Sequence, residues 1–233
     1  MNTIITGATK GIGKAIAIKF ATEGHSLAVC ARNGADLDAL KVELQQINPA
    51  IKVITCVADI SKKEDVQHFA LEAINTFGVI DVLINNGGVF LPGETSLEEE
   101  GTLEKMIETN LYSAYHLTRS IVPVMQSSAK AHIFNMCSIA SFMAYPNGGS
   151  YSISKFALLG YTKVLRQELK DKDIKVTAIM PGATWSDSWS GVDLPHERLM
   201  EATDIAESVW AAYSLGKSAV VEEIIIRPQL GDL

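Results

Sequence analysis

Thr3-Ile4-Ile5-Thr6-Gly7-Ala8-Thr9-Lys10-Gly11-Ile12-Gly13 decides the architecture of this chain, because it runs three local preferences together. Thr3 to Thr6 is a short β-branched run of the kind that forms a buried strand, and Ile12, Ile16 and Phe20 then recur at the spacing of one helix face. Gly7, Gly11 and Gly13 make the turn between them. Glycines let a backbone approach a pyrophosphate closely, and the free N–H groups and dipole of a helix start favour its negative charge. The stretch therefore predicts a dinucleotide site made of a strand, a glycine turn and a helix N-terminus. Its spacing departs from G-x-G-x-x-G, with three residues between the first two glycines.

The same alternation continues along the chain. Ser26–Cys30 reads as a second strand and Ala35–Ile47 as a helix stopped by Asn48-Pro49. The ribose of a dinucleotide should lie near the end of that second strand, where an NAD binder usually places an acid about 20 residues past the fingerprint. Here stand Ala31 and Arg32, and Lys10 on the glycine loop would face the same 2′-phosphate, so the pattern favours NADP. Ile51–Val57 reads as a third strand. Asp59 beyond it is a cap for a Ser61–Phe77 helix, a contact to the adenine, or both. Val82–Ile84 is a fourth strand leading into Asn85-Asn86-Gly87-Gly88, whose small side chains would let a loop lie against a flat ligand.

A long amphipathic helix runs from Leu103 to Met125, with Pro123 kinking or ending its last turn and Asn110 interrupting the apolar face. On the residues alone, Asn110 is a satisfied structural amide or part of a site. Ala131–Cys137 reads as a buried strand, Tyr151 opens another helix, and Ile174–Ile179 is a sixth strand ended by Pro181-Gly182. From Ala183 to about Ala202 the periodicity lapses, yet Trp185, Trp189, Leu194, Leu199 and Met200 are too apolar for a solvated linker. That segment is a lid over a pocket or a plug for the core. Ile205–Leu215 and Glu223–Ile226 supply a last helix and strand.

Composition narrows the function. At 233 residues and 47% hydrophobic content the chain can bury a full core as a single domain. A formal charge of −7 without a basic tract disfavours nucleic acid or an anionic membrane as partner. Cys30, Cys56 and Cys137 are odd in number, lie in apolar runs and lack metal-type spacing, so buried free thiols in a reducing cytoplasm are expected. The five histidines show no ligand spacing, which leaves no metal mechanism. No apolar stretch approaches the ~18 residues of a membrane span, and only two residues precede the first strand-like run, too few for a signal peptide.

The chemistry is carried by Tyr151-Ser152-Ile153-Ser154-Lys155 together with Ser138. Residues i and i+4 share a helix face, so Lys155 stands one turn from Tyr151. A phenol titrates near ~10 and works poorly at neutral pH until a fixed cation stabilises its phenolate. Ser138 ends the strand before it, and open α/β sheets bind ligands at the carboxyl ends of strands.

Taken jointly, Thr6-Gly7-x-x-x-Gly11-Ile12-Gly13, Asn85-Asn86-x-Gly88, Ser138 and Tyr151-x-x-x-Lys155 make the whole chain resemble the short-chain dehydrogenase/reductase family. The resemblance implies an α/β, doubly wound Rossmann fold, with helices on both faces of a seven-stranded parallel sheet of order 3-2-1-4-5-6-7. It implies Tyr151 as proton donor to a carbonyl and Ser138 as its hydrogen-bonding orienter. Lys155 would hold the nicotinamide ribose and lower the tyrosine pKa, and Asn110 would hold a relay water. The implied cofactor-binding set is Gly7, Thr9, Lys10, Gly11, Ile12, Gly13, Arg32, Asp59, Ile60, Asn86, Gly88, Tyr151, Lys155, Pro181, Gly182, Thr184 and Ser186, with NADP(H) as cofactor. Gly87 stands where the family commonly has alanine, Ser186 where it often has threonine, and only five residues follow Pro228.

These readings converge on a reductase passing hydride from NADPH to an apolar or aromatic ketone or aldehyde. Phe90, Phe142, Met143, Tyr145, Trp185 and Trp189 flank its site. A 3-oxoacyl-carrier reductase is the nearest alternative, set back by Glu94, Glu98, Glu99, Glu100, Asp187, Asp193 and Glu197 in the mouth-forming segments. An NAD-using oxidative enzyme is disfavoured by Lys10 and Arg32, and a non-catalytic NADP-binding regulator by the intact serine. Apolar surface on the Leu103–Met125 and Tyr151–Lys170 helices predicts a homodimer or homotetramer.

Overall fold

The computed structural model describes residues 1–186 and 191–232. Seven strands form one parallel sheet in the order β3-β2-β1-β4-β5-β6-β7, the order expected from the family resemblance. They are β1 (Asn2–Thr6), β2 (Ser26–Ala31), β3 (Val53–Val57), β4 (Val82–Asn85), β5 (His132–Met136), β6 (Lys175–Pro181) and β7 (Glu223–Ile226). The helices between them are α1 (Gly11–Thr22), α2 (Gly34–Ile47), α3 (Lys63–Phe77), α4 (Thr102–Ile107), α5 (Ser113–Met125), α6 (Gly149–Leu169) and α7 (Ala202–Ser214).

Strand side chains alternate between two cores, as the pleat requires. Ile5 and Val29 face Phe20 of α1, Leu44 of α2 and Val209 of α7. Ile4 and Ala28 face Phe69 of α3, Ile121 of α5 and Leu169 of α6. Each such Ile, Leu, Val or Phe side chain, fully buried, contributes roughly 1.5–3 kcal/mol. Because the sheet is parallel, Thr6, Ala31, Asn85 and Met136 end their strands on one edge, and every loop of the predicted site leaves from that edge.

Several boundaries differ from the sequence reading for identifiable reasons. β3 starts at Val53, and α3 starts at Lys63 because Asp59 folds back on Ser61 and delays the helix. The helix expected from Leu103 to Met125 is three pieces: α4, a widened π-helical turn at Glu108–Tyr112, and α5. The interruption centres on Asn110, while Pro123 sits inside α5, which runs on to Met125. Cys30 and Cys137 are buried free thiols, whereas Cys56 is only half-buried. Among the described residues, no helix is long and apolar enough to cross a membrane.

Candidate active site

The glycine turn has the shape its sequence demands. Gly7 and Gly11 have φ of 63° and 51°, in the left-handed region that glycine enters without strain. A methyl group on Gly13 would overlap the Gly7 carbonyl and the Asn86 amide. No side chain caps α1 at Lys10 and no acid stands in its first turn, so the helix dipole is left to an anion. Thr9 and Ile12 are half-buried around the turn, while Lys10 is exposed.

The loop after β4 is fastened to the end of β1. Thr6 Oγ1 accepts from the backbone N–H of Asn86 at 3.0 Å and of Gly87 at 2.9 Å. Asn86 Nδ2 donates to the carbonyls of Thr6 at 2.9 Å and Gly7 at 3.1 Å. Beneath it, Asn85 Nδ2 donates to Asn135 Oδ1 at 2.8 Å and to Thr118 Oγ1 at 3.1 Å, and Asn135 passes the chain on to Thr162. Buried amides so connected fix the loop's height above the sheet. The sequence reading missed Thr6; its hydroxyl at the end of a strand was the available signal.

On the ribose side, Arg32 is exposed directly after β2. Asp59 Oδ1 accepts from Ser61 N at 3.1 Å and Ser61 Oγ at 2.8 Å. Burial pushes the Asp59 carboxyl up, but the Ser61 hydrogen bonds, with Lys62 and Arg32 nearby, outweigh it and hold the group below its ordinary value. Of its two expected roles, capping is present as a turn around Ser61, with Lys62 rather than Asp59 at the helix N-cap. Ile60 reaches over the loop, its Cδ1 filling the space a methyl on Gly87 would occupy.

The catalytic candidates meet at the edge of β5. Ser138 Oγ accepts from Ala140 N at 3.2 Å, and the Ser138 N–H donates to Ser141 Oγ at 3.1 Å. That fixes the hydroxyl, which lies beside the Tyr151 phenol and lowers its pKa. Lys155 Nζ donates to the Met136 carbonyl at 2.8 Å and lies 5.7 Å from the Tyr151 ring centroid. Burial raises the phenol above its ordinary value, and the neighbouring Ser138 hydroxyl offsets only part of that rise. Lys155 was expected to lower it. Instead its ammonium is directed at the Met136 carbonyl, and its own pKa is pulled down to about 8 by burial.

Asn110 joins three segments. Its Oδ1 accepts from Val89 N at 2.8 Å, and its Nδ2 donates to the Val89 carbonyl at 3.0 Å and to Ser154 Oγ at 2.9 Å. The amide expected to hold a water is thus hydrogen-bonded to the protein, tying the widened turn to the loop after β4 and to α6. Gly88 lies against both groups, since a Cβ there would be 3.0 Å from Asn110 Oδ1 and 3.6 Å from Lys155 Nζ. Ser154, inside the quoted motif, was not singled out from sequence.

Past β6, the Gly182 N–H donates to Ile226 O at 2.8 Å and Thr184 Oγ1 donates to the Gly182 carbonyl at 3.0 Å. Pro181 is the buried last residue of β6. Ser186 lies beside the glycine turn, its Cβ 3.6 Å from where one on Gly11 would be. The segment that follows is closed at its base, where Trp185 N donates to Met200 O at 2.9 Å and Met200 N to Ala183 O at 3.1 Å. Asp187 and Trp189 lie outside the described residues. Phe90 packs edge-on against Tyr151 with centroids 4.9 Å apart, while Phe142, Met143 and Tyr145 are partly exposed nearby. Glu98, expected as a free acid of the mouth, is hydrogen-bonded to Ser150.

These residues fit a dinucleotide. The glycine turn is open to an anion, and the buried Lys155 ammonium has three N–H groups with one acceptor among the described residues. Among those residues, no cluster of His, Cys, Asp and Glu could hold a metal ion.

Comparison with known proteins agrees with the geometry. The family described as short chain dehydrogenase matches residues 1–194. The sepiapterin reductase of Chlorobaculum tepidum is 34% identical over 99% of this chain and 97% of its own. An alcohol dehydrogenase from the archaeon Thermococcus sibiricus, complexed with 5-hydroxy-NADP, superposes with a TM-score of 0.91 at 28% identity, covering 100% of this chain and 98% of its own. A 7α-hydroxysteroid dehydrogenase complexed with NADH and 7-oxo glycochenodeoxycholic acid gives 0.87 at 29% identity, covering 99% and 94%. Glycine turn, asparagine loop and the Ser138–Tyr151–Lys155 group thus sit in a frame shared with oxidoreductases that bind nicotinamide cofactors, and the chain belongs to the short chain dehydrogenase family.

Proposed function

We propose that this protein is an NADPH-dependent carbonyl reductase in which Tyr151 gives the proton. The observation that carries the reading is the placement of the Tyr151 phenol beside Ser138 at the strand edge, one helical turn from the buried Lys155 ammonium. A phenol raised by burial stays protonated at neutral pH, and a protonated donor suits reduction better than oxidation. Ser138 orients the carbonyl oxygen and the phenol together. Lys155, mostly charged at neutral pH with a pKa of about 8, stabilises the phenolate left when the proton departs. NADPH, when bound, supplies the hydride.

Arg32 and Lys10 favour the 2′-phosphate, and no acid follows β2 to take a free 2′-hydroxyl. Relatives bind both cofactor types, so the preference rests on these two side chains. Residues 1–233 then act as one nucleotide-binding domain, with residues 183–202 as the substrate lid. Phe90 packs on the Tyr151 ring, and Glu94, Glu99 and Glu100 are exposed in the loop before α4, which favours an uncharged aromatic or alicyclic carbonyl over an acidic carrier thioester. The test is a panel of aryl ketones, aldehydes, sepiapterin and an acyl-carrier thioester, followed by NADPH absorbance. Turnover of the thioester alone would reverse the ranking, and NADPH binding with no turnover of any carbonyl would make the protein a regulator.

A further inference from the structure

The loop between β4 and α4 holds more than a wall of the site. Glu98 reaches from it to the start of α6, where Oε1 accepts from the Ser150 N–H at 2.9 Å and Oε2 accepts from the Ser150 hydroxyl. Ser150 is buried, and Tyr151 is the next residue. No side chain caps α6 at Gly148, and its first turn contains no acid of its own. The helix therefore takes its negative partner from a residue 52 positions earlier in the chain.

The backbone around Glu98 is shaped for this contact. Gly93 N donates to Asn147 O at 3.0 Å, and Gly93 pairs with Gly148 in an isolated parallel bridge. A methyl on Gly149, whose φ is 27°, would overlap Glu98 Oε1 and the Gly93 carbonyl. One on Gly93 would stand 2.9 Å from Glu98 Cγ, and its three nearest neighbours would all be Glu98 atoms. Phe90, near the other end of the loop, presses edge-on against the Tyr151 ring. One loop thus grips the helix start through Glu98 and the phenol through Phe90.

We infer that Glu98 is a positioning residue: it bolts the substrate-facing loop to the first turn of the catalytic helix and so sets Tyr151 against Ser138. It touches neither the phenol nor Ser138, and it acts through Ser150. The inference rests on the reading of Tyr151 as proton donor, but its physical content, a helix start held by a distant carboxylate, can be measured without turnover.

The experiment compares Glu98→Ala, Glu98→Gln, Gly93→Ala and the double variant Gly93→Ala/Glu98→Ala. Amide hydrogen exchange at Ser150 and Tyr151, NADPH affinity, kcat and KM are read on each. Glu98→Ala should speed exchange at Ser150 at least about tenfold and lower kcat by about tenfold or more, since a small misplacement of a reacting group costs that much. NADPH affinity should stay within about twofold, because the glycine turn and Lys155 are untouched. Glu98→Gln keeps an acceptor for the Ser150 N–H and should recover most of kcat. Gly93→Ala should reproduce the Glu98→Ala defect in the native background and add nothing where Glu98 is already alanine.

A cap that merely stabilises the fold would lower the melting temperature and leave kcat per folded molecule unchanged, which overturns the inference. Unchanged exchange at Ser150 overturns it too, as does a Gly93→Ala penalty of equal size in both backgrounds. If the native protein reduces no carbonyl while Ser150 exchange responds as expected, the reductase reading fails and the Glu98 bolt stands.

Discussion

Gly87 and Ile60 should be energetically coupled, and the size of the coupling follows from where one methyl group sits. Relatives commonly carry alanine at the Gly87 position, and its φ lies outside the left-handed region, so alanine should gain about 0.4–1 kcal/mol by restricting the unfolded chain. Here the Ile60 Cδ1 occupies the place of that added methyl, and Thr6 Oγ1 stands 3.3 Å from it. Gly87→Ala must therefore swing the isoleucine off its rotamer, at about 0.5–1.5 kcal/mol, or overpack the loop, at about 1–3 kcal/mol. The single variant should come out neutral to destabilised by about 2 kcal/mol. Ile60→Val alone, losing Cδ1, should cost about 0.5–1.5 kcal/mol. Together the two changes exchange one methyl for another, so the double variant should lie near the native stability and the coupling should reach about 1 kcal/mol or more. Urea denaturation of the four proteins measures it, with NADPH affinity as a second readout because Ile60 lies in the expected adenine region. Additivity within about 0.3 kcal/mol would mean that Gly87 and Ile60 do not compete for that space.

Tyr151→Phe should reduce carbonyl turnover by at least ~10²-fold with NADPH affinity nearly unchanged, and Ser138→Ala should do the same; native turnover by Tyr151→Phe would remove it as proton donor. Arg32→Asp should erode or reverse the NADPH preference, because a charge-assisted hydrogen bond of about 1.5–3 kcal/mol is lost and an acid is placed beside the phosphate; equal native efficiency with NADH would defeat that reading. Burial pulls His25 down to about 4 and His132 to about 3, so below their ordinary 6.5 the unfolded chain binds more protons than the native one. Their stability contribution is complete above about pH 6.5 and falls by ~1.4 kcal/mol per histidine per pH unit on the way to pH 5. Chemical denaturation at pH 7, 6 and 5 should show that slope, His132→Leu should halve it, and a flat profile would count against the burial argument. Ile153, Phe156 and Val164 are exposed on one face of α6, around Gly160, where an added methyl would meet nothing; a homo-oligomer is expected, and a monomer by light scattering at micromolar concentration would refute it.

What was legible in the sequence is what local rules determine. Thr3 to Gly13 carries a period and a turn, so strand, glycine turn and helix could be placed from their residues alone. Tyr151 and Lys155 share a face because helical spacing dictates it, and their position at the sheet edge follows from the alternation. What was not legible is long-range and polar. Asn110 looked like a flaw in a helix face, because its partners, Val89 and Ser154, are 21 and 44 positions away. Glu98 looked like one of several loop acids, because nothing near it in sequence distinguishes it from Glu99 or Glu100. Gly87 looked like a plain loss of the family's alanine methyl, whereas Ile60 Cδ1 fills that place. In each case the deciding contact joins segments far apart in the sequence, and residue periodicity contains no information about that pairing.

The titration of the site bears on the direction of the reaction. Tyr151 and Lys155 are both deep in the site, and burial favours the neutral form of each: the phenol is raised, and the ammonium is pulled down to about 8. Near pH 7 the pair is therefore a neutral phenol beside a mostly charged ammonium, the state that can give a proton and then stabilise the anion left behind. Acceptance of a proton in the reverse direction needs the phenolate, which burial disfavours. As pH passes about 8, Lys155 loses its charge before the phenol ionises, so the phenolate formed on donation loses its nearby cation. Reduction should accordingly hold through neutral pH and decline above about 8, with Lys155→Arg, which does not discharge in that range, moving the alkaline limb upward in whatever activity remains. A reduction rate that kept rising past pH 9 would mean that the proton comes from a group other than Tyr151.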